Sequence, residues 1–351
     1  MKPKVLILYN KLFHYRIPVW NILAEKCNLT VAFSIGEVPD GLEMRFNVMS
    51  LPIKKIGPFI IHNSNIRKIA RQYDVVIAYG NIAWLKLTFL PWFNRTKVVY
   101  HTIGVSASYS KGYDEHHEWD RIRAFFYNKA DALAFYTQYP IEKYNSLGIK
   151  REKMFEAPNT VEVLPVKERE ERRSILFIGT LYRAKGLQLL LDAFLELKDS
   201  CNLPVLNVIG NGPDYDYTRK WIEDHGLQEL IKLEGAIYDV SIKAVFFSKA
   251  LACISPKQAG LSVLESMGYG VPFVTTRDAI TGGELFNIHN GKDGIILDHE
   301  SQIKSTIKDI SENPDKYISM GLEAKKFYDE NRTPQHMANG LWKAVCYALR
   351  N

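Results

Sequence analysis

A glutamate follows a glycine by five residues in the stretch Gly260-Leu-Ser-Val-Leu-Glu265, shortly after an apolar run that ends at Ile254. The run predicts a buried strand, and the stretch predicts a short helix. Gly260 lacks a Cβ, so its backbone can approach a ligand closely, and the N–H groups of residues 260–262 offer an anion site. The Glu265 carboxylate could accept hydrogen bonds from the two neighbouring hydroxyls of a ribose. Phosphate and ribose recognition together indicate a nucleotide.

A second segment places two cations beside a predicted helix start. In Phe177-Ile-Gly179-Thr-Leu-Tyr-Arg183-Ala-Lys185-Gly, a strand is expected to end at Gly179, and a tight loop then brings Arg183 and Lys185 together. Two cations at a helix N-terminus suit a diphosphate, because they stabilise its charge. Cations at a protein surface often precede a helix without having a function. The interpretation as a diphosphate site therefore depends largely on the segment that contains Glu265.

Both segments resemble the donor site of retaining glycosyltransferases of the GT-B fold, family 4. Residues 255–272 are similar to the family pattern Pro-Ser-x-x-Glu-Gly-x-Gly-Leu-x-x-Leu-Glu-Ala-Met-Ala-x-Gly-x-Pro, and residues 179–186 are similar to Gly-Arg-Leu-x-x-x-Lys-Gly. The resemblance implies catalytic roles for His101, Lys185 and Arg183. It also implies a donor-binding set that consists of Gly179, Thr180, Gly210, Lys257, Gln258, Ala259, Gly260, Leu261, Ser262 and Glu265.

Two positions depart from the family pattern. Thr180 occupies the place of the family's arginine, and Arg183 would have to compensate for it. Lys257 occupies the place of a glutamate that ordinarily contacts hydroxyls of the transferred sugar, and a lysine cannot accept hydrogen bonds. Two arrangements stay open. Lys257 donates to the diphosphate or to an acidic donor sugar, or it faces solvent while the backbone of residues 258–260 holds the sugar.

The first half of the chain offers fewer candidates. His101 follows the apolar run of residues 98–100, at the end of a predicted strand where open α/β sheets bind ligands. It matches a histidine that is frequent in the interdomain cleft of the family, where it would orient the donor sugar. His14 and Arg16, in the loop after the first predicted strand, are candidates for contacts with the acceptor.

Gly210 and Gly212 allow a sharp connection between a strand and a helix, either as a structural turn or as a donor contact. The pair Asp214-Tyr-Asp216 that follows has the spacing of an acidic metal site. Acids are nevertheless favoured at a helix start for capping and dipole reasons. We therefore expect no metal and no cofactor besides the donor substrate, since cations replace the metal at the diphosphate.

The length of 351 residues and the hydrophobic content of 46% fit two α/β domains. Apolar runs alternate with amphipathic stretches, which predicts parallel, doubly wound sheets. The resemblance implies two Rossmann-like domains that face a central cleft. We expect an acceptor-binding domain over residues 1–162, a charged linker over 163–173 and a nucleotide-sugar-binding domain over 174–333. The C-terminal helix, residues 334–351, is expected to cross back to the first domain.

Composition limits the cellular compartment and the binding partners that we expect for the protein. Four scattered cysteines, Cys27, Cys201, Cys253 and Cys346, suggest reduced thiols of a cytoplasmic protein, and no signal peptide or membrane span is expected. The net charge is +6, and basic residues mix with aromatic ones in residues 11–20 and 84–95. These stretches suit an anionic membrane surface or a lipid-phosphate acceptor, and equally a half-buried helix with a basic rim. No nucleic-acid fingerprint is present.

The resemblance implies retaining transfer of a sugar from a UDP- or GDP-linked donor to a glycan or a lipid-linked oligosaccharide. The setting would be bacterial cell-surface polysaccharide synthesis, at the inner face of the plasma membrane. Retention in this family is usually explained by a front-face mechanism, in which the leaving phosphate helps to deprotonate the incoming hydroxyl. A GT-B nucleotide-sugar 2-epimerase and a non-catalytic sugar-nucleotide-binding partner subunit are the alternatives.

Overall fold

Two parallel sheets organise the chain, each within its own unit. The structure is a computed structural model and describes residues 2–39, 41–93, 95–108, 112–165, 171–199 and 202–351. One unit comprises Met1–Ala107, Tyr113–Val161 and Arg332–Asn351, and the other comprises Ser108–Gly112 and Glu162–Asn331.

The central strands of the first unit are continuous apolar runs, as expected for parallel strands that are covered on both faces. The strands up to residue 156 are β1 Lys4–Leu8, β2 Asn28–Phe33, β3 Asn47–Ser50, β4 Ile53–Ile56, β5 Phe59–His62, β6 Val75–Tyr79, β7 Lys97–Thr102, β8 Ala107–Ser108, β9 Gly112–Tyr113, β10 Ala132–Phe135 and β11 Met154–Glu156. The helices of this part are α1 Ile17–Ala24, α2 Ile66–Ala70, α3 Leu85–Thr88, α4 Leu90–Phe93, α5 Asp120–Tyr127 and α6 Tyr139–Ser146. Seven strands form a parallel sheet in the order β11-β10-β7-β6-β1-β2-β3, and β4 and β5 form an antiparallel hairpin.

The second unit repeats this plan with six parallel strands. Its strands are β12 Ser174–Ile178, β13 Val205–Ile209, β14 Ile231–Gly235, β15 Ala250–Ile254, β16 Gln258–Ala259, β17 Phe273–Thr276, β18 Ile280–Thr281 and β19 Gly294–Leu297. Its helices are α7 Leu187–Leu197, α8 Tyr215–Asp224, α9 Val240–Ser248, α10 Leu261–Gly268, α11 Gln302–Glu312 and α12 Pro314–Asn331. The main sheet has the order β14-β13-β12-β15-β17-β19, and β16 pairs with β18.

The last helix, α13 Pro334–Arg350, packs within the first unit although it follows the second one in the chain. Its buried residues Met337, Leu341 and Val345 share a core cluster with Val5 and Trp20 of the first sheet and α1. The helix therefore completes the core of the first unit.

Both ends of the predicted linker contact the second unit. Val163 packs in the core of the second unit, and Arg172 donates to the Ala250 carbonyl at 2.8 Å. Residues 166–170 of the predicted linker lie outside the described residues, and so does Cys201. The other three cysteines are free thiols. Among the described helices, none is long and apolar enough to cross a membrane.

Candidate functional site

A cavity of about 230 Å³ lies in the second unit, where β12 and β13 end. We call it the donor cavity. It brings together four residues of the predicted donor-binding set, Gly179, Thr180, Gly210 and Glu265. The other residues that line it are Ile178, Ile209, Asn211, Ala236, Ile237, Tyr238 and Lys243. The carboxyl ends of parallel strands are the usual place for a ligand in such sheets.

Glycines let the two loops at this sheet edge pack directly on each other. A Cβ on Gly210 would lie 1.9 Å from the Gly179 carbonyl oxygen, and one on Gly212 would lie 2.3 Å from the Leu181 carbonyl oxygen. The Leu181 N–H donates to the Asn211 carbonyl at 3.0 Å. Close packing of the two loops thus requires glycine at both positions, and Gly210 lines the donor cavity as well.

Glu265 lies on α10 and is held by a lysine that the sequence did not single out. The Lys243 ammonium, from α9, donates to Glu265 Oε1, and the side chains are 15% and 10% exposed respectively. Lys243 is one of the cavity-lining residues. A lysine that is this nearly buried needs a partner, and Glu265 provides it.

Lys185 is a largely desolvated cation beside the same cavity. A Cβ on Gly179 would lie 3.0 Å from the Lys185 ammonium, so the lysine passes directly over the backbone of that residue. Burial lowers the pKa of Lys185 to about 8. No carboxylate of the described residues forms an ion pair with it. An anion placed here would gain more from this charge than it would at the surface.

Arg183 lies elsewhere, although it is two residues from Lys185. Its side chain lines a separate cavity of about 380 Å³, together with Tyr182, Asp214 and Tyr217, and it is absent from the lining of the donor cavity. The structure therefore does not bring Arg183 to Thr180, whose missing arginine it was expected to replace. The reason is that the short 3-10 turn Arg183–Lys185 separates the directions of the two cations.

Lys257 is engaged with acids. Its ammonium lies 3.0 Å from Asp278 and 2.7 Å from Glu300, and the bond to Glu300 chiefly raises its pKa. The lysine is not among the residues that line the donor cavity, and two acids hold its ammonium. The neighbouring Gln258 and Ala259 form β16, whose pairing with β18 fixes the loop that leads to α10.

Gly260 caps α10 without a side chain, and Leu261 and Ser262 form its first turn. A Cβ on Gly260 would meet nothing within 4 Å, and its φ of −107° is open to any residue. The protein itself gives no reason for a glycine here. A ligand that approaches the helix start closely would give one.

His101 lies on β7 in the first unit and is completely buried. Neither ring nitrogen has a hydrogen-bond partner among the described residues. Its ring lies 4.9 Å from that of Tyr136, whose hydroxyl is hydrogen-bonded to that of Tyr9. Burial, and secondarily the charge of Arg16, hold the pKa of His101 well below its usual value. The imidazole is therefore neutral at physiological pH and has unused hydrogen-bonding capacity.

The two predicted acceptor residues have different surroundings. Arg16 is buried, donates to Asn159 at 2.6 Å and contacts the Met337 sulfur at 2.7 Å. These contacts tie α13 to the segment before the second unit, so Arg16 has a structural role that its acceptor assignment did not foresee. His14 is exposed, with its ring edge against Tyr15.

Two acidic groupings of the described residues have the spacing of metal ligands, and both make structural contacts. Asp214 is at the N-cap of α8, and Asp216 forms an exposed ion pair with Arg219. One cluster with ligand-like spacing, Asp114, His117 and Asp120, occurs in the described part of the first unit. The Lys143 ammonium lies 2.5 Å from Asp114 and 2.6 Å from Asp120, and it neutralises the cluster in the place a metal would take.

Comparison with known proteins defines the class. Residues 163–327 match the family model of glycosyl transferases group 1. The structure is similar to that of Anabaena HepE in complex with UDP, with a TM-score of 0.70 and 14% identity over 99% of this chain and 100% of that one. The two parallel-sheet units and this likeness show the GT-B fold. The group 1 glycosyl transferase match falls within the second unit.

Two curated relatives match more locally. D-inositol 3-phosphate glycosyltransferase of Corynebacterium jeikeium is 27% identical over 184 residues, which are 49% of this chain and 41% of the relative. Poly(glycerol-phosphate) alpha-glucosyltransferase of Bacillus subtilis is 28% identical over 187 residues, 47% of this chain and 27% of the relative. The chain spans less than half the length of these relatives.

Proposed function

We propose that the protein is a retaining glycosyltransferase, which moves a sugar from a nucleoside diphosphate sugar to a glycan or a lipid-linked acceptor in cell-surface polysaccharide synthesis. The observation that carries the proposal is the donor cavity. It lies at the carboxyl ends of two parallel strands and contains the nearly buried carboxylate of Glu265, and the desolvated Lys185 passes over Gly179, another residue of its lining. A nucleotide presents the matching groups, two ribose hydroxyls and a diphosphate.

The chemistry assigned to this site is stabilisation of a leaving group. Cleavage of the anomeric C–O bond places negative charge on the departing diphosphate. Lys185 and the N-terminus of α10 supply fixed positive charge for it, and such preorganised electrostatics is usually the largest catalytic contribution. The leaving phosphate would then take the proton of the incoming hydroxyl, so no carboxylate nucleophile and no metal is required. A sugar contact by His101 would require its completely buried ring to become accessible, so we leave this histidine out of the proposed chemistry.

The proposal assigns roles at the two positions that depart from the family pattern, Thr180 and Lys257. Because Lys257 is paired with Asp278 and Glu300, we assign sugar recognition to the backbone of residues 258–260. We leave Arg183 out of diphosphate binding, because its cavity is a separate one.

Names of similar proteins support the substrate class. HepE was crystallised with UDP, and the Bacillus subtilis relative is named for alpha-glucosyl transfer to poly(glycerol-phosphate). We infer a UDP- or GDP-linked donor and a polymeric or lipid-linked acceptor for this chain. A nucleotide-sugar 2-epimerase and a non-catalytic binding subunit are the alternatives that activity measurements must separate.

Contact with an anionic membrane is a further part of the proposal. Phe89, Trp92, Phe93, Phe125 and Phe126 form an aromatic surface on the first unit. Trp92 lies 5.8 Å from Phe125, and Phe93 and Phe125 are 51% and 58% exposed. Cations surround it, with the Arg67 guanidinium 4.0 Å from the Phe93 ring. Aromatic rings with a basic rim suit the headgroup region of an anionic bilayer.

The membrane contact is tested by flotation with phosphatidylglycerol and phosphatidylcholine vesicles. The wild type should float with the anionic vesicles only, and the double variant Phe93→Ser, Phe125→Ser should lose this binding. Phe286→Ser removes an equally exposed aromatic ring of the second unit and serves as the control. Equal flotation of the double variant and the wild type would remove the membrane from the proposal.

Calorimetric titration with UDP and GDP tests the donor site. Glu265→Gln should weaken the binding of the preferred nucleotide by about 1–3 kcal/mol, because it removes a charged acceptor. Glu229→Gln, which affects only an exposed ion pair with Lys232, should leave affinity unchanged. Unaltered affinity in Glu265→Gln would refute the ribose assignment.

A further inference from the structure

One cation inside the donor cavity has no assigned role. Of the described residues that line this cavity, Lys243 is the one lysine or arginine. Its helix α9 is fixed at the start by Asp239, whose side chain accepts hydrogen bonds from the N–H groups of Ser241 and Ile242. The Lys243 N–H donates to the Asp239 carbonyl in the first turn. The lysine is therefore held firmly at its base, and its ammonium meets the carboxylate of Glu265.

The ion pair uses only half of the Glu265 carboxylate. Lys243 donates to Oε1, whereas Oε2 forms no hydrogen bond within the described residues. The Glu265 side chain is 90% buried, and the ammonium supplies a hydrogen-bond partner for one of its two oxygens. This contact restricts the rotation of the carboxylate, and it leaves Oε2 as an acceptor.

We propose that Lys243 is the positioning residue for ribose recognition, because it holds the Glu265 carboxylate in one orientation, with Oε2 open to the ribose hydroxyls. Lys243 acts through Glu265 and does not itself contact the nucleotide. This inference rests on the proposed function, since it requires a nucleotide in the donor cavity.

The test compares UDP with its 2′,3′-dideoxy analogue by calorimetry, with GDP and its dideoxy analogue in parallel. Lys243→Met should weaken the binding of the normal nucleotide about tenfold and leave that of the dideoxy analogue nearly unchanged. Lys243→Arg should recover most of the affinity. Lys220→Met, which breaks an exposed ion pair with Asp224 on α8, is the matched control and should bind like the wild type.

A double-mutant cycle separates positioning from direct contact. In the Glu265→Gln background, Lys243→Met should cause no further loss of affinity, and this pair of substitutions also avoids a buried unpaired charge. Equal losses for the normal and the dideoxy nucleotide, or a further loss in the Glu265→Gln background, would overturn the positioning role. Wild-type affinity in Lys243→Met would do so as well. If the wild-type protein bound neither UDP nor GDP, the proposed function would fail first, and the inference with it.

Discussion

At the scale of single residues, the account depends on cations and carboxylates that are partly removed from water. Lys185 shows the effect most clearly, because burial lowers its pKa to about 8 and no acid in the described part of the chain forms an ion pair with it. A bound diphosphate would restore the missing counter-charge. The charge of this one lysine then couples nucleotide binding to pH.

Nucleoside diphosphate affinity should therefore fall as the pH rises above 8. Below pH 8 the free protein already carries the charged lysine, whereas above it binding requires the uptake of a proton. The loss approaches about tenfold per pH unit. Calorimetry between pH 7 and 9.5 measures it.

Two variants of Lys185 provide the control. Lys185→Arg stays charged throughout this range and should remove the pH dependence. Lys185→Ala should bind weakly at every pH and lose more in turnover than in donor binding, since charge on the diphosphate grows in the transition state. An unchanged slope in Lys185→Arg would assign the titration to another group.

Two glycines should respond in opposite ways to the same substitution. Gly260→Ala should unfold at the wild-type temperature, because its Cβ meets open space, but should bind nucleotide about 1–3 kcal/mol more weakly because the ligand approaches there. Gly210→Ala should lose stability, because its Cβ collides with the Gly179 carbonyl. Thermal unfolding measures the stability of both variants, and calorimetry measures their nucleotide affinity. Full nucleotide affinity in Gly260→Ala would mean that no ligand contacts this helix start.

Sequence alone could predict Glu265, Lys185 and the glycines, because each lies at a fixed distance from a strand or helix boundary. It could not predict Lys243, since the contact joins residues 22 positions apart on different helices. Nor could the sequence predict that Arg183 and Lys185 have different surroundings, because the spacing of residues along the chain does not determine the direction of a side chain in a 3-10 turn.

At the scale of elements, buried strands were predicted well and edge elements poorly. The apolar runs over residues 75–79, 205–209 and 294–297 predict buried strands, and β6, β13 and β19 have these bounds. The run over residues 271–275 predicts a strand as well, but β17 begins only at Phe273, because Pro272 has no N–H for the ladder. The edge strand β3 and the β4–β5 hairpin were missed, because their half-exposed sequences lack a strong apolar pattern.

Helix α13 yields an element-level prediction. A Cβ on Gly340 would lie 2.1 Å from the Glu156 carbonyl oxygen, where the helix crosses the end of β11. Gly340→Ala should lower the free energy of unfolding by about 1–3 kcal/mol through overpacking. Gln335→Ala, on the exposed side of the same helix, should change it by less than about 0.5 kcal/mol. Denaturant unfolding measures both. Equal stability of the two variants would show that the helix does not pack closely here.

At the scale of the whole molecule, the proposed mechanism gives lysine and helix-terminus charge the role that a divalent metal has in many enzymes that cleave phosphate esters. Activity should therefore persist in excess EDTA. A nucleotide-release assay with and without the chelator checks this. Loss of activity that magnesium or manganese restores would contradict the metal-free proposal.

The central claim is the transfer of a sugar with retention at its anomeric carbon, and proton NMR of the reaction with a panel of UDP- and GDP-sugars tests it most directly. We predict that one donor releases nucleoside diphosphate and yields a sugar product whose anomeric configuration is that of the donor, and that Lys185→Ala suppresses this release. An epimerised sugar would indicate the 2-epimerase, and an inverted product would contradict retention. Failure of every donor in the panel to react, despite nucleotide binding, would contradict catalysis and favour the non-catalytic subunit.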